Sequence, residues 1–139
     1  MAWIPVQYPH FPTNEPLVNA ITALAGQDTP QVRQAFYTAL LNSTPLMAEE
    51  QGENRPILFV DSSKQIVLPI FTDLERLRQR FPNVKRAGAA SIHELCGIIL
   101  KYGMHRIHIN PEDHPSRYLD RGEIQALAKG IIPDLSHNA

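Results

Sequence analysis

Apolar residues recur at helical spacing along five stretches of the chain and crowd together along four others, with turn-forming residues between them. Leu17, Ile21 and Leu24 share one face of a helix predicted over 15–25, with Asn14 in the capping place and Gly26 closing it. Thr29-Pro30 marks a second helix start, and Val32, Ala35, Phe36, Ala39, Leu40 and Ser43 form its apolar stripe. The short link between the two predicts a helical hairpin. Residues 47–55, with Glu49, Glu50, Gly52 and Glu53, read as a polar acidic loop. Two strand-like runs follow, over 57–60 and 66–71, and the turn-forming residues 61–65 between them predict an antiparallel hairpin. Pro69 inside the second run removes a ladder donor and calls for an edge position or a bulge.

Thr72 with Glu75 three residues on reads as a capping box, opening a helix whose narrow apolar face holds Leu74, Leu77 and Phe81. A short strand over 84–89 comes next. A second capping box, Ser91 with Glu94, opens a helix with the stripe Ile92, Leu95, Cys96 and Ile99, and Gly103 stops it. Residues 104–109 read as a strand and 110–116 as a loop. Asp120 with Glu123 caps a last helix closed by Gly130. Strands joined through helices favour parallel neighbours, whereas the first pair is antiparallel. The predicted class is α+β: a mixed β-sheet, an antiparallel hairpin plus parallel neighbours, packed with helices.

Ahead of this region, Pro5, Pro9, Pro12 and Pro16 interleave with Trp3, Tyr8 and Phe11. Proline fixes φ and donates no hydrogen bond, so residues 1–16 are expected to form an extended arm. Its aromatics escape water either by packing on their own domain or by docking on a second subunit or partner. The organisation is thus an arm over 1–16, one domain over 17–130 and a tail over 131–139.

Composition narrows the classes. The chain has 139 residues, 43% of them hydrophobic, enough for a core without staples. Thirteen basic residues against fourteen acidic ones leave a net charge of −1, which argues against a general polyanion binder. The charges are unevenly placed, acidic up to Ser63 and mildly basic beyond it. A single cysteine, Cys96, forms no internal disulfide, and no zinc-type spacing is present. With no basic-then-apolar leader and no long apolar run, the expected setting is cytoplasmic, without a membrane partner.

Candidate chemistry is sparse. Cys96 lies on an apolar stripe, where a thiol behaves as a small hydrophobe. There is no nucleophile elbow, Walker loop or dinucleotide glycine motif. His105, His108 and His114 gather near Glu112 and Asp113, but His105 and His108 lie three apart on a strand and so face opposite sides. No metal or cofactor is expected, and no enzymatic activity. Arg76, Arg78, Arg80, Lys85 and Arg86 form a basic run that reads as a solvated helix surface rather than a nucleic-acid footprint.

Residues 67–77, VLPIFTDLERL, resemble the hallmark VLPVFTSLERL segment of the SseB family's N-terminal domain. Phe36-Tyr37 with Leu40-Leu41-Asn42-Ser43 is similar to the family's FY.ALL.S helix, and Ile109-Asn110-Pro111 to its INP strand exit. The three stand in register over about 17–128. Ile70 replaces the family's valine and Asp73 its serine. The family is named for an enhanced-serine-sensitivity phenotype and is linked by name with type III secretion, and members often carry a second, C-terminal domain. The resemblance implies no catalytic activity.

The matching residues suggest a place. Phe71-Thr72 lies where one strand ends and a helix begins, and Asn110-Pro111 where another strand ends. Parallel strands would bring both turns to one edge of the sheet, near the amides of a helix N-terminus. With Pro69 these are the candidate ligand- or partner-binding residues. Two readings follow from this placement. The first is a non-enzymatic interaction or regulatory module that self-associates or binds a protein partner through its arm and sheet edge. The second is a sensor of a small anionic metabolite, such as an amino acid, bound at the Thr72/Asn110 edge. The structural alternative is a cap, a bulge and a turn.

Overall fold

The computed structural model describes residues 3–135, so Met1, Ala2 and the last four residues of the predicted tail lie outside the described residues. The arm opens with a strand, β1 (Trp3–Pro5). Helices α1 (Glu15–Gly26) and α2 (Pro30–Leu41) follow as a hairpin. Thr29 caps α2 by accepting from the Val32 amide. The buried stripe of α2 is Phe36, Tyr37 and Leu40, with the predicted Ala35 left exposed. The hairpin turns Tyr37 inward, where its hydroxyl finds Glu123.

The predicted acidic loop over 47–55 is corrected at its start. Leu46–Ala48 is a strand, β2, and every residue of it is buried. Glu49 after it is also buried, because Arg86 and the Gly52 amide take up its carboxylate. Next come β3 (Phe59–Val60) and β4 (Ile66–Ile70), paired antiparallel as expected. Their turn closes with the Asp61 amide on the Gln65 carbonyl and the Lys64 amide on the Asp61 carbonyl. Lys64 takes the left-handed conformation, φ 63°, of a bulged three-residue loop.

The remaining elements are α3 (Leu74–Arg80), β5 (Arg86–Ala89), α4 (Ile92–Lys101), β6 (Arg106–Ile109), β7 (Arg117–Leu119) and α5 (Arg121–Ala128). On α4 the four predicted positions, Ile92, Leu95, Cys96 and Ile99, are the buried ones. Asp120 and Glu123 form the reciprocal capping box of α5. The end of the predicted 110–116 loop runs into β7, a strand too short to show a pattern of its own.

The strands form two sheets. β3-β4-β6-β7 is mixed, with β4 and β6 parallel, whereas β1-β5-β2 is antiparallel throughout. The fold is α+β with the expected mixed sheet, an antiparallel hairpin plus a parallel neighbour: β6 is that neighbour of β4, and β5 belongs to the second sheet. There Gly88 stands opposite both Trp3 and Met47. Reciprocal bonds between Leu46 and Phe71, 2.7 and 2.8 Å, join the sheets at one point.

Pro69 lies in an inner strand rather than at an edge, and alternation explains it. The Ile66 and Ile70 carbonyls face β6, accepting from His105 and Asn110, whereas Phe71 faces Leu46. Pro69 shares the parity of Phe71, so its missing N–H falls in the gap between the end of β3 and the Leu46–Phe71 bridge. No ladder bond is lost there.

Leu68, Ile70, Ile107 and Ile109 cover one face of the mixed sheet and form the main core with buried residues of α1, α2, α4 and α5. Leu46, Ala48, Phe71, Leu77 and Ala87 form a smaller core, against which Val6 and Phe11 of the arm pack. Trp3 packs on the main core, and so does Leu135 in the tail. The other face of the sheet carries Phe59, Arg106, His108 and Tyr118. There the His108 and Tyr118 rings stack at 3.8 Å, and Arg106 and Arg80 lie over Tyr118 and Phe59.

Candidate functional site

Parallel pairing of Ile70 with Ile109 sends Thr72 and Asn110 out of the sheet side by side. Asn110 turns left-handed, φ 53°, a conformation asparagine tolerates better than most residues. Its side chain folds back on the neighbouring strand exit. Oδ1 accepts from the Thr72 amide at 3.0 Å, and Nδ2 donates to Thr72 Oγ1 at 3.1 Å. The Thr72 hydroxyl in turn donates to Asp73 at 2.7 Å. Both residues are inaccessible, Thr72 at 0% and Asn110 at 2% exposure.

A third side chain reaches the same point from the arm. Asn14 sits in the capping place before α1, but its side chain caps nothing. Its Nδ2 instead donates to the Thr72 carbonyl at 2.7 Å and the Thr44 carbonyl at 2.8 Å, while Oδ1 accepts from the Thr44 amide. Thr72 is therefore held at its amide, its carbonyl and its hydroxyl by groups from three parts of the chain. In so enclosed a place an unmet polar group costs about 1–3 kcal/mol, so the network is maintained by its own completeness.

Thr72 is not the cap of α3, as its position had suggested. Asp73 is the cap, accepting from the Arg76 amide at 2.9 Å. Arg76 bridges Asp73 and Asp113, with N···O distances of 2.6 and 2.7 Å, and these bonds raise its pKa, the one to Asp113 most. An anion arriving at this helix start therefore meets the Asp73 carboxylate already bound to the Arg76 amide. Two clefts flank the network, of about 110 and 550 Å³. One is lined by Arg76, Asn110, Asp113 and His114, and another by Tyr8, Pro9, Phe11 and Pro12 of the arm with Glu15 and Glu75 across from them.

The other predicted site residues are also part of the framework. Pro69 and Pro111 are buried, and Phe71, fully buried, meets Phe81 edge to face. The basic run is largely engaged within the domain. Arg78 donates to the Val6 carbonyl, Arg80 lies near Glu112 and over Phe59 and Phe81, and Arg86 binds Glu49 and Asn54. His105 Nδ1 accepts from the Ile66 amide, while His108 stacks on Tyr118 and burial lowers its pKa. Cys96 is fully buried, and desolvation pushes its thiol up to about 12. Among the described residues, no three His, Cys, Asp or Glu side chains converge as metal ligands do.

The three stretches that carry the likeness, the α2 helix with Phe36-Tyr37, the β4 exit with Thr72 and the β6 exit with Asn110, fall within one match. The family described as SseB protein N-terminal domain matches residues 17–126. The chain belongs to the SseB N-terminal domain family. Comparison with curated proteins and with solved structures gives no match. The SseB-like match begins at the first buried residue of α1 and ends within α5, so it holds all the buried residues of the main core but Leu127, whereas β1 and the arm lie ahead of it.

Two members of this SseB-like site escape the sequence pattern. Asn14 has the residue type of a cap, and nothing local announces that its partners lie 30 and 58 residues away. Asp113 belongs to a loop and reveals its role only once β6 is placed beside β4. Asp73 had a usable signal. Aspartate is as strong a cap as threonine, and it too stands three residues ahead of an amide it can accept from.

Proposed function

We propose that this SseB-like domain is a non-enzymatic interaction or regulatory module that works by binding a protein, either another copy or a different partner. One observation carries the reading: the residues behind the family likeness, Thr72 and Asn110 above all, are buried and bonded to one another and to Asn14. They stabilise a scaffold, and although Asn110 lines one of the flanking clefts, its side-chain oxygen and nitrogen are taken up by Thr72. Supporting it, the large apolar side chains left in water include Val60, 68% exposed, and Leu58 and Tyr8, which lie at a sheet edge and on the arm. No helix among the described residues is long and apolar enough to cross a membrane, which suits a protein partner better than a bilayer.

The test has two arms. A broad screen for hydrolase and transferase turnover is expected to give nothing above background; turnover abolished by Thr72→Val or Asn110→Ala would overturn the reading. Thermal shift against amino acids, nucleotides and other small anions addresses the sensor alternative. A rise in melting temperature lost with Asn110→Ala would replace the module with a sensor.

A further inference from the structure

The mixed sheet has two outer strands, β3 and β7, and the second sheet exposes β1. Proteins blunt such edges with prolines, charges or short covers. Pro5 ends β1, while β7 carries Arg117 and runs directly into the Asp120 cap of α5. β3 lacks such protection. Over Leu58, Phe59 and Val60 there is neither a charge nor a proline, and Leu58 and Val60 are 39% and 68% exposed.

The hydrogen-bond parity of this strand is readable. The Ile57 amide points inward to the Ala48 carbonyl, and the Asp61 amide inward to the Gln65 carbonyl. Phe59, opposite Val67, shares that parity. The main-chain groups of Leu58 and Val60 therefore point outward, where β3 has no neighbouring strand in its sheet. The two residues with free main-chain groups are the same two whose apolar side chains stand in water.

We propose that β3 is a self-association edge: two copies pair their β3 strands antiparallel about a twofold axis at Phe59, joining two four-stranded sheets into one of eight. This rests on the interaction-module reading and names its partner as a second copy. The register follows from the parity. Leu58 of each copy exchanges two bonds with Val60 of the other, so all four outward groups of each strand are used. A register centred on Val60 would leave Leu58 opposite the turn residue Ser62. Centred on Phe59, Ile57 meets Asp61 and no like charges oppose each other. A second copy suits this edge better than a flexible peptide. With so few main-chain bonds available, a disordered ligand gains little against its ordering cost, whereas a copy brings its strand already ordered. A twofold interface also needs only one self-complementary patch.

Sedimentation velocity from about 1 to 500 μM tests the inference on the full chain. The expected result is a reversible particle of twice the 15.6 kDa chain mass. Val60→Pro removes an outward donor without touching the bonds to β4, and Leu58→Lys places charges in the seam. Each is expected to weaken the dimer at least tenfold while circular dichroism and melting stay near wild type. Phe59→Cys gives an independent check, because residues facing each other across a non-hydrogen-bonded antiparallel pair lie within disulfide reach. Mild oxidation is expected to link two copies through residue 59, with the buried Cys96 left reduced. A monomer across the range, or a dimer indifferent to both edge variants and unlinked through position 59, would overturn the inference. A monomer that still binds another protein would leave the wider module reading standing.

Discussion

Asn110 carries more of the fold than its size suggests. It holds a left-handed backbone and satisfies both the amide and the hydroxyl of Thr72 in a place closed to water. Asn110→Ala leaves the amide without an acceptor and the hydroxyl oxygen without a donor, although the hydroxyl keeps its own bond to Asp73. It also keeps the backbone strain, so urea denaturation is expected to show a loss of about 2–4 kcal/mol. Asn110→Gly relieves the strain but not the unmet groups, and its loss should be smaller by about 1 kcal/mol. Equal losses would mean that the left-handed turn carries no cost. Cys96 offers a second residue-scale check. Burial raises its pKa from the ordinary 9.0 to about 12, so the folded thiol stays protonated where the unfolded one ionises. Stability is therefore untouched by this group below about pH 9 and falls as pH rises towards 12. At pH 8, thiol labelling should proceed only as fast as the chain opens, and Cys96→Ala should flatten the alkaline decline.

At the scale of elements, much was legible where one face of an element is buried by itself. The stripes of α1 and α4 and the β3-β4 hairpin follow from periodicity and turn residues, because these features are local. What was not legible is non-local. β2 and β7, three residues each, are strands only because β5 and β6 lie beside them. The assignment of β5 to a second sheet depends on β1 and β2 enclosing it. In the candidate site, Thr72 and Asn110 leave the sheet side by side because β4 and β6 run parallel. The roles of Asn14 and Asp113 emerged only in three dimensions. Pro69 permits a prediction at this scale. Since its position has no ladder partner, Pro69→Ala gains no hydrogen bond and loses a chain constraint, and the expected destabilisation is only about 0.4–1 kcal/mol. A stabilised variant in thermal melting would show that the gap beside β3 can be closed.

For the whole molecule, charge acts through pairs rather than through the net value of −1. The carboxyls of Asp28, Glu49 and Asp61 all lie below their usual range. The leading causes are the Arg33 hydrogen bond, the Arg86 hydrogen bond and the Gln65 amide, respectively. A carboxyl depressed in the folded state contributes stability above its unfolded pKa and loses it as pH falls through the folded one. Denaturation midpoints should therefore hold from about pH 7 to 5 and drop below about pH 4. Arg86→Gln should lower the midpoint at neutral pH and make the acid drop shallower. A midpoint independent of pH down to 2 would count against these pairs.

Thr72 ends up in an unusual position, because its amide, carbonyl and hydroxyl answer to residues 110, 14 and 73. Fraying of α1, a slip of the arm or opening of the β6 exit each releases only one of its ties. Deuterium from solvent reaches the Thr72 amide once Asn110 lets go of it and water enters, which requires the β6 exit to part from the β4 exit. That single proton would therefore keep time for the parting of two parallel strands at their ends, although it sits at the start of a helix only seven residues long.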